Sequence, residues 1–348
     1  MNAVTDLKPT LAKAANGAVL SLFEAETAFN LIMSGEASPA QIGGLLMALR
    51  VRGETIDEIT GAVRAMRKKM TPIKAPANAI DVCGTGGDGI GTFNISTAVT
   101  FVITACGIPV AKHGNRAASS KSGAADILTA LGVNIEAEFP VLEKALEEIG
   151  TAFLWAQRHH SAMRHVGPSR AELGTRTIFN LMGPLCNPAG VKRQLTGVYD
   201  RRWLEPLAKV LHALGTERAW LVHGEDGLDE ITITGSTFIC ELKNGHVTDY
   251  SIAPEDFGIP RADVAAIKGG NAEENAEALR LLLQGVKNPY RDVVLLNAAA
   301  GLVIADKVKE MKDGIKLAAQ AIDSGAALEK LHSLIEYTKV PIIEEGEN

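Results

Sequence analysis

Ile80-Asp81-Val82-Cys83-Gly84-Thr85-Gly86-Gly87-Asp88-Gly89-Ile90-Gly91-Thr92-Phe93-Asn94-Ile95-Ser96-Thr97 reads as a short apolar strand, five glycines and a helix start. Glycines let backbone N–H groups approach an anion closely, and the helix start adds unpaired donors and a positive dipole end. Phosphate is the natural guest. A plain tight turn needs one or two glycines, not a run of them ahead of an Asn/Ser/Thr helix start.

Gly84, Gly86 and Gly89 also spell the dinucleotide fingerprint G-x-G-x-x-G, which needs an acid about 20 residues on to hold a ribose diol. No Asp or Glu lies between Asp88 and Asp126, so that reading loses its second half. The interval instead carries Lys112-His113-Gly114-Asn115-Arg116-Ala117-Ala118-Ser119-Ser120-Lys121-Ser122-Gly123, a second loop, basic and hydroxyl-rich. Two such loops at the carboxyl ends of parallel strands would converge on one guest with more than one phosphate. The acids Asp229 and Glu230, after a strand ending at His223, would then hold magnesium against it.

Outward from the glycine run the pattern alternates. Strands are expected at Ile80–Cys83, Ile108–Ala111, Ala152–Trp155, Gln194–Tyr199 and Ala219–His223, with helices at Asn94–Cys106 and Ser122–Leu131. This predicts an α/β fold with a mostly parallel central sheet flanked by helices. Asn244-Gly245 marks a hairpin between Phe238–Lys243 and His246–Ile252. Helices follow Asn271, and Val293–Ile304, apolar nearly all round, is expected to be buried.

The first 70 residues carry three capping boxes, Ser21 with Glu24, Ser38 with Gln41, and Thr55 with Glu58, so a small N-terminal helical domain precedes the sheet. Leu45, Leu46, Leu49 and Val51 form an apolar stripe for a neighbour, and Thr71–Pro76 reads as a hinge. The helical, proline-punctuated patch Pro168–Pro188 is expected to pack with the first helices. The expected division is a helical domain at 1–72, completed by about 168–188, and an α/β domain at 77–167 and 189–348.

With 348 residues, 46% of them hydrophobic, and 22% charged, the chain is long enough for two domains and apolar enough for a sizeable core. The net charge of -6 argues against nucleic-acid binding as the main function. Four scattered cysteines, Cys83, Cys106, Cys186 and Cys240, suggest neither a zinc site nor disulfides, which points to a reduced, cytoplasmic setting. The longest apolar run, Ala98–Ala111, is interrupted by Thr100, Thr104, Gly107 and Pro109, so export and membrane spanning are not expected.

Gly84-Thr85-Gly86-Gly87-Asp88, Asn94-Ile95-Ser96-Thr97 and the Lys112–Gly123 segment together resemble the anthranilate phosphoribosyltransferases of tryptophan synthesis. The resemblance extends to Gly35-Glu36-Ala37-Ser38, Gly53-Glu54-Thr55, Arg176-Thr177-Ile178-Phe179-Asn180, Gly183-Pro184-Leu185 and Leu228-Asp229-Glu230. It implies transfer of the 5-phosphoribosyl group from 5-phosphoribosyl 1-diphosphate to the amino group of anthranilate, with release of diphosphate. Two magnesium ions and a homodimer come with it. The donor would be met by Gly84, Gly87, Asp88, Thr92, Asn94, Ile95, Ser96 and Thr97, and wrapped by Lys112, His113, Gly114, Asn115, Arg116, Ala117, Ala118, Ser119 and Ser120. Ser96 would reach one magnesium and Asp229 with Glu230 the other. Anthranilate would be met by Gly84, Asn115 and Arg170, whose parallel donors suit a carboxylate. Ala124 stands where relatives often have a donor-contacting serine, leaving only its backbone to serve.

Displacement at an activated anomeric carbon needs positioning and charge neutralisation more than a covalent nucleophile. An aniline-type nitrogen is unprotonated at neutral pH, so no strong base precedes attack, and His113 is a candidate late proton acceptor. His159, His160 and His165 lack a thiolate or carboxylate partner at ligand spacing and read as lining or capping groups. Arg164, Arg170 and Arg176, six residues apart, do not share a helix face, which leaves Arg170 alone as a functional candidate. Trp155 and Trp220 read as core residues. The rivals are a pyrimidine nucleoside phosphorylase, which resembles this family in fold, and a nucleic-acid-binding relative, against which the net charge speaks.

Overall fold

In the computed structural model, which describes residues 6–117 and 121–339, the chain opens with α1 (Lys8–Ala15), α2 (Leu22–Met33), α3 (Pro39–Arg52) and α4 (Ile56–Lys69). Ser21, Ser38 and Thr55 each accept from the amide three residues on, and Glu24, Gln41 and Glu58 return the bond. These reciprocal caps fix the starts of α2, α3 and α4. Helix α1 has no side-chain cap, which is why the sequence pattern passed over it.

The sheet region begins with β1 (Ile80–Gly84), α5 (Ile95–Ala105), β2 (Val110–Gly114), α6 (Ala124–Ala130), α7 (Phe139–Glu148) and β3 (Thr151–Trp155). Three short helices, α8 (Ala156–His159), α9 (Gly167–Leu173) and α10 (Phe179–Met182), precede β4 (Arg193–Gly197), α11 (Leu204–Ala213) and β5 (Arg218–Gly224). Strands β6 (Thr237–Lys243) and β7 (His246–Ile252) lead to α12 (Ala272–Leu283), α13 (Pro289–Ile304), α14 (Met311–Asp323) and α15 (Ala326–Lys339).

The seven strands lie in the order β3-β2-β1-β4-β5-β6-β7. Strands β1 to β5 run parallel, and β6 and β7 continue the sheet antiparallel. Asn244 and Gly245, at φ 51° and 82°, have the left-handed pair of angles a two-residue hairpin requires. The chain winds outward from β1 in one direction and from β4 in the other. Their carboxyl ends therefore flank the switch point where open α/β sheets take ligands.

Helix α13 is buried along almost its whole length, and a Cβ at Gly301 would collide with Ile103 of α5, so glycine lets the two helices meet. At the amino ends of β4 and β5, Arg193 Nη1 reaches Ile304 O at 2.9 Å and Arg218 Nη1 reaches Val303 O at 2.7 Å. Two guanidinium groups thus cap the carbonyl end of α13. Arg218 also pairs with Asp306 at 2.5 Å and Glu241 at 3.1 Å, and Arg193 pairs with Asp306.

A second apolar cluster joins α2, α3 and α4 to Val166, Ile178, Phe179, Leu181, Met182, Leu185 and α11. Leu45, Leu46 and Leu49 are buried in it, but Val51 is 81% exposed. Two residues turn a helix by about 200°, which removes Val51 from the stripe the sequence suggested. The connection after α4 is tied to the segment after β3: Thr71 N donates to His159 O, and His159 Nδ1 meets Thr71 O, both at 2.8 Å.

Candidate functional site

Gly84 and Gly197 face each other across the β1–β4 ladder. The loop after β5 lies against both. A Cβ on Gly84 would come 2.5 Å from Asp229 Oδ2, and one on Gly197 would collide with the Asp229 carbonyl. The absence of side chains at the switch point thus admits the acid pair to the glycine loop. Gly86 N donates to Asp229 Oδ2 at 2.8 Å, and Ser96 N, in the first turn of α5, donates to Glu230 Oε1 at 3.2 Å.

Burial raises the pKa of Asp229, and neighbouring Asp88 raises it further against the Gly86 amide. Burial raises Glu230 too, then Asp229 does, with Lys112 opposing. Packed acids that repel one another fit a divalent cation, which would relieve the repulsion. Among the described residues no three His, Cys, Asp or Glu side chains group to hold a metal by themselves. Two carboxylates and the Ser96 hydroxyl, completed by phosphate oxygens, match the way magnesium is usually held.

Lys112 is buried, with Nζ 2.7 Å from Val82 O and 3.3 Å from Ser96 Oγ. It braces β1 and the helix start from beneath instead of wrapping the guest. The side chains of Ile95 and Thr97 are buried as well, leaving only their backbone to face a donor. Thr92 forms an isolated bridge with Lys268. Asn94 Nδ2 reaches Ser122 O at 3.2 Å and so links the first loop to the second.

In the second loop Asp126 accepts from Arg116 Nη1 at 2.9 Å, Ala117 N at 3.0 Å and Gly123 N at 2.9 Å. One carboxylate therefore gathers both flanks of the segment. Ala118, Ser119 and Ser120 lie outside the described residues. Ala124 is the first residue of α6, and Gly114 ends β2 where a Cβ would press on Phe153. The Asn115 Oδ1 atom accepts from Trp155 Nε1 at 3.2 Å and from Arg116 N at 2.8 Å, so among the described residues its NH2 end is left to meet a ligand. Trp155 is thus a core residue that also orients Asn115.

His113 is buried, and its Nε2 lies 3.2 Å from His160 Nε2. Between neutral rings one nitrogen donates and the other accepts, so His113 Nε2 is engaged in either case. Burial, then His160, pushes its pKa well down, opposed by a bond to the Gly183 backbone. Both ring nitrogens are thereby used, which removes His113 as a late proton acceptor and makes it a wall between sheet and helical unit. Arg170 stacks at 5.3 Å over Phe179, and burial lowers its pKa. Among the described residues it makes no hydrogen bond to either loop.

Two contributors escaped the sequence reading. Arg176, set aside on spacing, lies 4.1 Å over the Tyr199 ring and donates to Gly87 O, while Arg50 donates to Arg176 O. It bridges the glycine loop to α3. Asn275 Nδ2 donates to Asn94 Oδ1 at 2.9 Å, and the segment before it pairs with the loop through Phe93 N to Ile267 O at 3.0 Å and Gly269 N to Gly91 O at 2.9 Å. The capping box of Asn271 with Glu274 at the start of α12 was the available signal for that segment.

Comparison with known proteins agrees with this geometry. A family profile described as "Glycosyl transferase family, a/b domain" matches residues 76–328, and one described as "Glycosyl transferase family, helical bundle domain" matches residues 8–70. An anthranilate phosphoribosyltransferase of Rhodopseudomonas palustris is 58% identical over 332 residues, 95% of this chain and 98% of that one. The crystal structure of the Thermus thermophilus anthranilate phosphoribosyltransferase superposes with a TM-score of 0.90 at 44% identity, covering 95% and 99% of the two chains. The Saccharomyces cerevisiae enzyme, solved in complex with PRPP and Mg, gives 0.88 at 28% identity over 96% and 98%.

Proposed function

We propose, since the chain belongs to the anthranilate phosphoribosyltransferase family, that it transfers the 5-phosphoribosyl group from 5-phosphoribosyl 1-diphosphate to the amino group of anthranilate. The products are N-(5-phosphoribosyl)anthranilate and diphosphate, within L-tryptophan biosynthesis. The observation that carries this is the meeting of the glycine loop, the start of α5 and the acid pair at one switch point.

The amides of Gly87, Asp88 and Gly89 receive the diphosphate at the α5 start, with Thr92, Asn94 and Ser96 around it, while those of Thr85 and Gly86 hold Gly197 and Asp229. Asp229 and Glu230 would hold one magnesium ion and Ser96 a second, and bound magnesium would supply charge to neutralise the leaving diphosphate. The chain supplies orientation: the second loop, closed by Asp126, covers the donor, and the Asn115 NH2 group and Arg170 take the anthranilate carboxylate. Charge at the anomeric carbon develops in a site whose dipoles are fixed beforehand, so no covalent nucleophile is needed.

The chain divides into a helical domain at 1–72 with 168–188 and an α/β domain at 77–167 and 189–348, joined through Thr71–Pro76. Val19, Phe23 and Val51, exposed at 56%, 67% and 81% on the helical unit, suit a homodimer contact. Among the described residues no helix is long and apolar enough to cross a membrane, which suits a cytoplasmic enzyme.

The test is fluorescence of anthranilate with protein, magnesium and donor. Loss of anthranilate signal with stoichiometric diphosphate is expected, and a persistent signal with fresh donor overturns the assignment. Arg170→Ala is expected to raise the anthranilate KM at least tenfold, the loss of one charge-assisted contact, while the donor KM changes little; equal changes would remove its carboxylate role.

A further inference from the structure

Helix α13 packs in the core along almost its whole length, yet at its centre it carries Asn297, which is fully buried. A buried carboxamide costs about 1 to 3 kcal/mol unless its groups are paired, and a leucine would fill the same space without that demand. The pairing is specific. Oδ1 accepts from Ile231 N at 3.0 Å, and Nδ2 donates to Ile231 O at 2.8 Å and to Val293 O at 2.9 Å. The side chain thus takes both polar groups of one residue, as a neighbouring strand would.

Ile231 directly follows Glu230. On the far side of the acid pair, Asp226 accepts from Leu228 N at 3.1 Å, Thr232 Oγ1 at 2.7 Å and Thr234 Oγ1 at 2.5 Å, closing the loop on itself. The bonds of Asn297, with the packing of Leu228, Ile231 and Ile233 in the same core, fasten that closed loop to the helix layer. They act against a real force, because Asp229 and Glu230 sit half-buried side by side, held to the glycine loop and the start of α5 only through the Gly86 and Ser96 amides among the described hydrogen bonds, and outward motion of the loop would rehydrate them. A lysine or arginine at position 297 would also hold the loop, but its charge would neutralise the acids and compete with a cation. A carboxamide holds without competing.

We propose that Asn297 is a positioning residue that keeps Asp229 and Glu230 together in the placement a magnesium-diphosphate group requires. The proposal rests on the reading of this acid pair as metal ligands. Outer partners of metal ligands typically set affinity by about 10- to 100-fold, which gives the scale of the test.

Magnesium diphosphate is titrated calorimetrically into the full chain, its Asn297→Leu and Asn297→Ser variants, and Glu230→Gln, with Mn2+ spin resonance as a second probe of the bound ion. Both Asn297 variants are expected to bind magnesium diphosphate about tenfold more weakly and to need more magnesium for half-maximal activity, with the anthranilate KM unchanged. Unchanged magnesium-diphosphate affinity in a folded Asn297→Ser variant, even with a lower Tm, overturns the proposal. Should the leucine variant fail to fold, the serine variant decides. Hydrogen exchange in the unsubstituted protein decides independently: the Ile231 amide is expected to exchange slowly, and exchange at the rate of the outer loop amides overturns the proposal. If Glu230→Gln itself leaves affinity intact, the metal reading fails; if it weakens binding and Asn297→Ser does not, only the positioning role fails.

Discussion

At the carboxyl end of the sheet, Asp229 and Glu230 are packed against Asp88 and accept from the Gly86 and Ser96 amides, with Lys112 opposing the repulsion at Glu230. At the amino end, Asp306 and Glu241 are packed against Arg193 and Arg218, which also close the last carbonyls of α13. The same residue types serve opposite ends. At the foot every charge meets its opposite and the fold gains; at the top like charges are held together, and the fold bears a cost that an incoming cation removes. Acids crowded together with incomplete neutralisation are the mark of the working end.

The sharpest way to break this comparison is to neutralise the top. Asp229→Asn with Glu230→Gln is expected to lower kcat/KM for the donor by at least ~100-fold, since metal ligands outweigh the outer-partner range. The same change should raise Tm by about 1 to 2 °C, the equivalent of roughly 1 kcal/mol in a chain of this size. The sign follows from linkage. Folding raises both pKa values, so the folded chain binds more protons above the ordinary carboxylate range, and stability falls as pH rises through the raised values. A double variant that lost activity and stability together would contradict the contrast.

Removing charge at the foot should do the reverse. Arg218→Ala leaves the Val303 carbonyl and Glu241 without their guanidinium donor and Asp306 with Arg193 alone, and is expected to cost about 2 to 3 kcal/mol. Turnover per folded molecule at 25 °C should stay within about twofold. A calorimetric scan alongside kcat checks both, and a selective loss of kcat would mean the two ends are not separable.

A smaller effect refines the picture midway between them. Burial, then His159, lowers His160 to about 4, and His113 is pushed down as well. The unfolded chain takes up protons on both rings below about pH 6.5, where the folded chain resists. The contribution of these two rings should therefore decline as pH falls from about 6.5 toward 4, against the opposite trend from Asp229 and Glu230, and His160→Asn should remove part of that decline. An unchanged slope in the variant would place the acid sensitivity elsewhere.

Much of this was legible in the sequence because the signals are local. The capping boxes at Ser21, Ser38 and Thr55, the Asn244-Gly245 turn and the strand-helix alternation each depend on neighbours a few residues apart. The glycine run and the acid pair were legible for the same reason. What the sequence did not disclose depends on distant contacts: Lys112 turned beneath the loop toward Val82, His113 spent on His160, Arg176 laid across Gly87, and Asn297 buried where the periodicity shows only an apolar helix. A side chain's type is local, but its direction is set by whatever packs opposite.

The bond from Trp155 to Asn115, under the Arg116 guanidinium at 5.4 Å, has an optical consequence. Trp203 and Trp220 lie inside the two cores, at 7% and 4% exposure, and supply a steady background. Trp155 alone of the three touches the second loop, so the protein carries an intrinsic fluorophore whose emission follows the polarity at the mouth of its own site, with no label attached.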